Sequence, residues 1–337
     1  MKKILVLLMI ICLCACHKEP TMEEKLAEVG YSEQDIAFIM SLDQNKQEKF
    51  LEGLDERSLR FMKLEGCIDD NLDAYLKYDG QFDDDKVVEL VNRGILNDGS
   101  LSSLKELYNS DYYLEKNEDL YLQYLDQYDS VRSMIEIVNT RRYKELFSDI
   151  VLNDVSKNYL MLVNKYYSLP SDYEPDDLVD VPSEYGRGRV RQVPFEAFVK
   201  LHDDALEAGY DIRIVSAYRS YDYQQGLYEK YLQVDPQEVV DTYSARPGLS
   251  EHQTGLCMDV SLPGLSIDDF YLTDASVWLA ENCHRYGFII RFPRYKDNIT
   301  GYQWESWHIR YLGVEAATDV YERGITFDEY YACFVED

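Results

Sequence analysis

Two short polar motifs contain the residues best suited to chemistry. The first places His252 and Asp259 seven positions apart across a glycine, and the second, about fifty residues later, places Glu305 three residues before His308 in an aromatic segment. Two imidazoles and one carboxylate leave a fourth position open on a divalent ion. This is the ligand set of a catalytic zinc site rather than a closed structural one. The sequence therefore predicts a metal centre with Glu305 as an additional carboxylate.

The residues around Asp259 alternate between apolar and polar types, which predicts a half-buried strand. Leu256, Met258 and Val260 would face a core, and Asp259 would lie on the opposite face. A carboxylate in that position needs a partner, and a metal ion is a good one. Cys257 lies two residues from Asp259 on the same face, so its thiol could also approach the metal.

These motifs resemble those of the VanY-like D-alanyl-D-alanine carboxypeptidases, a zinc peptidase group that includes D,D-dipeptidases and LD-carboxypeptidases. The family pattern Ser-x-His-x-x-Gly-x-x-x-Asp, followed by Glu-x-x-His, is met at every required position. Four ordered blocks between about Leu162 and Gly313 carry the resemblance: Ser216–Ser220 with Gln224, Ser250–Asp259, Tyr286–Phe288 with Ile299–Tyr302, and Glu305–His308. Their number and order make the match specific.

The resemblance implies a metal site and a catalytic base. His252, Asp259 and His308 would bind one Zn²⁺ ion per chain. Glu305 would take a proton from the zinc-bound water that attacks the scissile carbonyl, and would pass it to the leaving amine. Because zinc lowers the pKa of its water to about 7, a nearby carboxylate can complete deprotonation at neutral pH.

The resemblance also implies three residues that handle the substrate. Arg219 would polarise the substrate or bind its terminal carboxylate, a task suited to a planar set of donors. Ser250 and Gln224 would hydrogen-bond the terminal carboxylate or the D-alanine backbone. Arg219 has an alternative role as a structural ion-pair partner.

One position departs from the family pattern. Many relatives have Arg-Tyr-Pro where this chain has Arg291-Phe292-Pro293. A hydroxyl expected near the substrate is therefore missing at Phe292. Tyr295 or Tyr302 could replace it, or the site could accept a different peptide.

The elements that must position these residues are mixed strands and helices without a regular βαβ alternation. The predicted fold class is α+β, with a zinc peptidase domain at 157–337 that has a central antiparallel sheet and flanking helices. An all-α region at 16–156 precedes it. The predicted strands include 178–181, 288–292 and 308–312, and the segment 212–220 is predicted to be a strand that runs into a polar loop. The predicted helices include 195–208, 221–232 and 275–286, the last closed by Gly287.

The helical region contains a weak internal similarity. Tyr75–Tyr78 precedes Asn92 much as Tyr124–Tyr128 precedes Asn139, and the two Val-Asn pairs are 47 residues apart. Helical repeats have such periods, although two copies do not establish a solenoid and similar helix composition is an alternative explanation. The region is predicted to be a spacer or an arm that binds an unknown protein partner.

The first fifteen residues, 1–15, resemble a bacterial lipoprotein signal peptide. A short basic start and an apolar run too short to span a bilayer precede Leu13-Cys14-Ala15-Cys16. Cys16 is the predicted lipidation site, which predicts an extracytoplasmic, membrane-anchored protein. An ordinary signal peptide with incidental cysteines is the alternative.

Charge and cysteine content narrow the function further. A net charge of −29 argues against nucleic-acid binding, which needs a basic face. The four remaining cysteines, Cys67, Cys257, Cys283 and Cys333, could form disulfides in three ways or stay free.

The sequence thus predicts a zinc carboxypeptidase that removes the terminal D-alanine from peptidoglycan stem peptides. One alternative is an LD-carboxypeptidase that acts on tetrapeptide stems, which the departure at Phe292 keeps open. The other is a cell-wall-binding lipoprotein without catalysis. The presence of Glu305 argues against this last reading, because binding alone needs no base beside three ligands.

Overall fold

The computed structural model describes residues 19–52 and 56–336. The predicted signal peptide and the lipidation site Cys16 lie outside the described residues. Within those ranges, no helix is both long enough and apolar enough to cross a membrane. The described cysteines Cys67, Cys257, Cys283 and Cys333 are all free thiols.

The chain divides into two compact units, Met1–Lys105 and Glu106–Asp337. This division differs from the boundary that the sequence predicts after Ser156. The last helices of the predicted spacer belong to the second unit, where Arg132 pairs with Glu329 at 3.2 Å and Arg141 with Glu336 at 3.0 Å.

The first unit is helical in its described part. Its helices are α1 (Met22–Val29), α2 (Glu33–Ser41), α3 (Gln44–Glu52), α4 (Glu56–Met62), α5 (Leu72–Lys77), α6 (Asp84–Asn92) and the start of α7 (Leu101–Tyr108). Thr21 caps α1 with a reciprocal hydrogen-bond pair to Glu24, which satisfies backbone donors that the first turn leaves free. Leu26, Ile39 and Phe50 form the core of the first helices.

The internal similarity within the helical region corresponds to a structural repeat of two short segments. In the first copy, a 3₁₀ turn (Asp69–Asn71) leads into α5 and α6. In the second, a 3₁₀ turn (Glu115–Asn117) leads into α8 (Glu118–Tyr124) and α9 (Val131–Asn139). The last residue of each copy, Asn92 or Asn139, accepts hydrogen bonds from a tyrosine hydroxyl and from an asparagine amide of the same copy.

The tyrosines of this repeat are not the pair that the sequence suggests. Tyr75 corresponds to Tyr121, since each hydroxyl donates to the terminal asparagine and accepts the backbone N–H of Ile68 at 3.1 Å or of Leu114 at 3.3 Å. The predicted alignment of Tyr75 with Tyr124 is therefore wrong by one helical turn.

The second unit is α+β. After α8 and α9 its strands are β1 (Val151–Leu152), β2 (Tyr167–Ser168), β3 (Leu178–Asp180), β4 (Arg189–Arg191), β5 (Arg213–Ser216), β6 (Cys257–Ser261), β7 (Phe288–Phe292) and β8 (Glu305–Tyr311). Its later helices are α10 (Gln192–Glu207), α11 (Tyr221–Tyr231), α12 (Gln237–Tyr243), α13 (Asp274–Asn282), α14 (Asp297–Thr300), α15 (Val314–Arg323) and α16 (Phe327–Phe334).

The main sheet has the strand order β5-β6-β8-β7, and all three pairings are antiparallel. One face is covered by α10, where Phe198 and Leu201 pack with Met258, Val260 and Ile309 of the central strands. This burial of alternate residues fixes the register, because a slip by one residue would turn the apolar set outward. The predicted fold class is confirmed.

The strand that carries Asp259 differs from its prediction in burial. All five residues of β6 are buried, whereas alternation predicts one exposed face. The reason is that polar groups, rather than solvent, cover the second face: His252 and His308 both lie against Asp259 there.

Candidate active site

Two of the predicted metal ligands face each other across the central strands. Asp259 of β6 is the direct partner of His308 of β8, and Met258 is the partner of Ile309. Because successive side chains of a strand point to opposite faces, the pairing that places Met258 and Ile309 in the core places Asp259 and His308 on the other face. Sheet register therefore brings the carboxylate and the imidazole together.

The third ligand comes from a short 3₁₀ turn, Glu251–Thr254, that leads into β6. Gly255 ends the turn with φ of 66°, a left-handed conformation that favours glycine. A Cβ at this position would lie 2.9 Å from side-chain atoms of both Arg191 and Leu178. The glycine of the motif is thus needed for both its conformation and its close packing.

Each imidazole lies against a different oxygen of Asp259. Asp259 Oδ2 lies 3.4 Å from His252 Nε2, and Asp259 Oδ1 lies 3.1 Å from His308 Nδ1. His252 Nδ1 donates to the carbonyl of Ala217 at 2.6 Å, which leaves the Nε2 lone pair free for a metal.

Electrostatics keep the aspartate ionised. Burial alone would raise the pKa of Asp259, but His252, His308 and Arg219 hold it well below its usual range. An ionised carboxylate and two imidazoles form a good donor set for Zn²⁺.

Glu305 begins β8 and lies next to the ligands. Its Oε2 is 3.6 Å from His308 Nδ1, and its side chain is buried. Burial raises the pKa of Glu305 to about 7, although His308 acts in the opposite direction. A carboxyl group with a pKa near neutrality can both accept and donate a proton at physiological pH.

Arg219 is positioned for both of the roles that the sequence leaves open. Its Nη2 donates to Asp259 Oδ2 at 2.7 Å and to Ser216 Oγ at 2.8 Å, so it is an ion-pair partner of a predicted ligand. Its Nη1 makes no hydrogen bond to the described residues, and the side chain borders the site cavity. Arg219 can therefore orient Asp259 and still offer donors to a bound anion.

A cavity of about 380 Å³ opens in front of these groups, and Ser250 and Gln224 both line it. Gln224 Nε2 donates to the carbonyl of Ala245 at 2.8 Å, while its buried Oε1 has no partner in the described part of the chain. The structure thus brings every predicted site residue outside the leader to one cavity. Their roles in binding stay predictions.

The tyrosine at the site is Tyr302. Its ring lies 4.7 Å from that of Phe292, and both line the cavity. Tyr295 is 81% exposed and does not line it. The buried Tyr302 hydroxyl has no hydrogen-bond partner among the described residues. Of the two tyrosines that the sequence offers in place of Phe292, only Tyr302 is in position.

Two further side chains lie close to the ligands. Cys257 Sγ and one ring nitrogen each of His252 and His308 lie within 4.8 Å of one another, so the thiol approaches the metal position as the sequence allows. Glu251 Oε2 lies 3.6 Å from His308 Nε2. The sequence analysis did not identify Glu251 as a site residue. The only signal in the sequence was its position between the motif residues Ser250 and His252.

The site has the composition of a metal-dependent hydrolase: three predicted ligands that lie close together, a buried carboxyl group beside them and an open cavity. A sequence model of the VanY family, described as D-alanyl-D-alanine carboxypeptidase, matches residues 187–314. The Bacillus subtilis (strain 168) protein YodJ is 38% identical over 184 residues, which are 52% of this chain and 67% of YodJ. The chain belongs to the VanY family and is a peptidase, which confirms the predicted family and enzyme class.

Two solved structures extend this comparison. The LdcB LD-carboxypeptidase is 36% identical, with 56% of this chain and 92% of LdcB covered at a TM-score of 0.51. A vancomycin-resistance D,D-pentapeptidase, VanY, was solved in complex with Zn(II). It is 32% identical, with 51% of this chain and 98% of VanY covered at a TM-score of 0.45.

Proposed function

We propose that this protein is a zinc carboxypeptidase that removes the terminal D-alanine from peptidoglycan stem peptides. The observation that carries the proposal is the convergence of His252, Asp259 and His308 beside Glu305 at the base of one cavity. The family described by the matching sequence model supports the substrate class.

The residues of the chain suggest how the reaction proceeds. When bound, zinc supplies Lewis acidity that activates the attacking water and polarises the scissile carbonyl. Glu305 accepts the proton of that water and delivers it to the leaving amine nitrogen. Arg219 holds Asp259 in place and offers Nη1 to the substrate carboxylate, with Ser250 and Gln224 on the same wall.

Cleavage of synthetic stems by the full chain tests the proposal. With zinc added, we expect release of D-alanine from a pentapeptide ending in D-Ala-D-Ala, measured by mass spectrometry. Glu305→Gln should abolish release, whereas Glu315→Gln, an exposed glutamate outside the site, should retain it. Zinc-loaded wild type that releases D-alanine from neither pentapeptide nor tetrapeptide would contradict the assignment.

A second candidate is LD-carboxypeptidase activity on tetrapeptide stems. Phe292 lies 5.1 Å from the His308 ring at the site, where many relatives have tyrosine, and the solved relative LdcB is an LD-carboxypeptidase. A higher kcat/KM on the tetrapeptide than on the pentapeptide would favour this candidate over the first.

The proposed location is the outer face of the membrane, through a lipid at Cys16. The support is the sequence Leu13-Cys14-Ala15-Cys16 after a short apolar run. Metabolic labelling with an alkyne fatty acid should mark the wild type and the matched control Cys14→Ser but not Cys16→Ser. Equal labelling of all three proteins would rule out Cys16 as the anchor.

A further inference from the structure

A second cluster of charged side chains lies buried beside His308. Arg291 and Arg310 are fully buried, and their carboxylate partners are Glu251 and Asp328, whose side chains are only 2% exposed. The charges balance in number, so the cluster could be only a buried ion-pair network. The way in which Glu251 uses its two oxygens argues for an additional role.

Both arginines donate to the same oxygen of Glu251. Arg291 Nε lies 2.7 Å and Arg310 Nη1 lies 2.8 Å from Oε1. A carboxylate that served only to neutralise two arginines would be expected to accept hydrogen bonds through both oxygens, as a carboxylate does in a bidentate pair with arginine. Instead, Oε2 has no hydrogen-bond partner in the described chain and lies 3.6 Å from His308 Nε2, which also has none there.

The two nitrogens of His308 face different groups. Nδ1 lies 3.1 Å from Asp259 Oδ1 and 3.6 Å from Glu305 Oε2, on the side of the proposed metal, whereas Nε2 faces Glu251. An imidazole that gives its Nδ1 lone pair to a metal carries its proton on Nε2. In metal sites that second N–H is usually held by a carboxylate or a carbonyl, which fixes the tautomer and the ring orientation.

We infer that Glu251 is a positioning residue for the metal site: its Oε2 accepts the Nε2 proton of His308 and thereby presents Nδ1 to zinc. This inference rests on the proposed zinc site but not on which peptide is cleaved.

The surroundings hold Glu251 firmly in this position. Arg310 Nη2 donates to the carbonyls of Tyr159 at 2.9 Å and Met161 at 2.6 Å, and Arg291 Nη1 donates to Asp328 Oδ2 at 2.5 Å. Both arginines are thus fixed independently of His308. They fix Oε1, and so direct Oε2 towards the imidazole.

The test compares Glu251→Gln with Asp328→Asn in the full-length protein. A glutamine at 251 has one oxygen, so it can accept from the arginines or from His308 but not from both. Asp328→Asn removes a carboxylate of similar burial from the same Arg291 without contacting His308. The readouts are the zinc dissociation constant, from competition with a chelator, and the visible spectrum of the Co²⁺-substituted protein.

We expect Glu251→Gln to weaken zinc binding by about 10- to 100-fold and to change the Co²⁺ spectrum. Asp328→Asn should lower the free energy of unfolding by about as much as Glu251→Gln, because each variant breaks a buried ion pair with Arg291, and should leave zinc affinity within about threefold of wild type. If Glu251→Gln does not fold, Glu251→Asp serves instead: it keeps the charge for the arginines, shortens the reach to His308, and should weaken zinc binding in the same way.

Equal zinc affinities for the Glu251 and Asp328 variants would overturn the inference and leave Glu251 a structural ion-pair residue. Because zinc binding is measured without peptide, its outcome is independent of the cleavage assay. A wild type that binds zinc but cleaves no stem peptide would count against the proposed function alone.

Discussion

The helical repeat and the active site bury polar side chains in opposite ways. In the repeat, the hydroxyls of Tyr75 and Tyr121 and the amides of Asn92 and Asn139 all have hydrogen-bond partners. Around the cavity, four buried polar atoms have none in the described chain: Gln224 Oε1, Glu251 Oε2, Tyr302 Oη and His308 Nε2.

The difference separates polar groups that hold a fold from polar groups at a binding site: Gln224 and Tyr302 line the cavity, whereas Glu251 Oε2 and His308 Nε2 face each other at 3.6 Å. Burying a donor or acceptor without a partner costs about 1–3 kcal/mol, so a cluster of such atoms persists only where a bound group satisfies it or function requires it. Substitutions in the repeat should therefore change stability, and substitutions at the cavity should change metal binding or catalysis.

The largest effect is expected for Glu305→Gln. Loss of the base should lower kcat by about 10²- to 10⁴-fold, because the amide cannot carry the proton from water to the leaving amine. Zinc affinity should stay within about threefold of wild type, since Glu305 is not one of the three ligands. Initial-rate assays on a stem peptide measure kcat, and competition with a chelator measures zinc affinity. Unchanged kcat would remove Glu305 from the mechanism.

Zinc itself should stabilise the second unit. Free zinc at about 100 times its dissociation constant should add about 2.7 kcal/mol to the free energy of unfolding, because the ion binds only the folded site. Urea denaturation with and without zinc measures this difference. His308→Ala should lose the zinc-dependent part, while His284→Ala, which changes a histidine outside the cavity, should keep it. The same zinc response in both variants would place the ion elsewhere.

Lys165 should make stability depend on pH. It is buried with its Nζ 3.8 Å from the Tyr302 ring, and burial lowers its pKa from 10.5 to about 7. Between those values the unfolded chain binds more protons than the folded one, so the free energy of unfolding rises with pH and falls as pH drops towards 7. The expected rise from pH 7 to pH 9 is about 2 kcal/mol.

The variant Lys165→Met isolates this contribution. It has no titrating group at the position, so the wild type should gain stability relative to the variant as pH rises from 7 to 9. Denaturant titrations at pH 7, 8 and 9 measure it. A difference that does not change with pH would show that Lys165 stays fully protonated when folded.

The smallest effects are expected in the repeat. Asn92→Ala and Asn139→Ala should each lower the free energy of unfolding of their own unit by about 1–2 kcal/mol, because each leaves a tyrosine hydroxyl without its acceptor. The exposed control Asn45→Ala should stay within about 0.5 kcal/mol of wild type. None of the three substitutions should change kcat. A clear decrease in kcat for Asn139→Ala would show that the second copy of the repeat contributes to catalysis.

Much of the site could be predicted from the sequence because the residues of each motif lie close together in the chain. The strand at Phe288–Phe292 has the predicted bounds, and Gly287 precedes it with φ of 87°. The motif glycine Gly255 adopts the turn that lets His252 and Asp259 converge. Their coordination of zinc stays a prediction, but their convergence follows from short-range rules of turn and strand geometry.

Other features could not be predicted, because they depend on partners that are distant in the chain. The boundary at Lys105/Glu106 leaves α9 in the second unit, where Arg132 of α9 and Arg141 just after it pair with residues almost 200 positions later, and no local composition change marks it. The choice of Tyr302 over Tyr295 likewise depends on which residue packs on Phe292.

The sequence by itself determined the residue types and spacing of the predicted site: two histidines, an aspartate and a glutamate. The tertiary structure decided how those groups are held. It placed Arg219 on Asp259 and Glu251 between two arginines and His308. The physical reason is that residue types and spacing are properties of a short stretch of sequence. The partner of a buried charge, in contrast, depends on sheet register and on packing between distant parts of the chain.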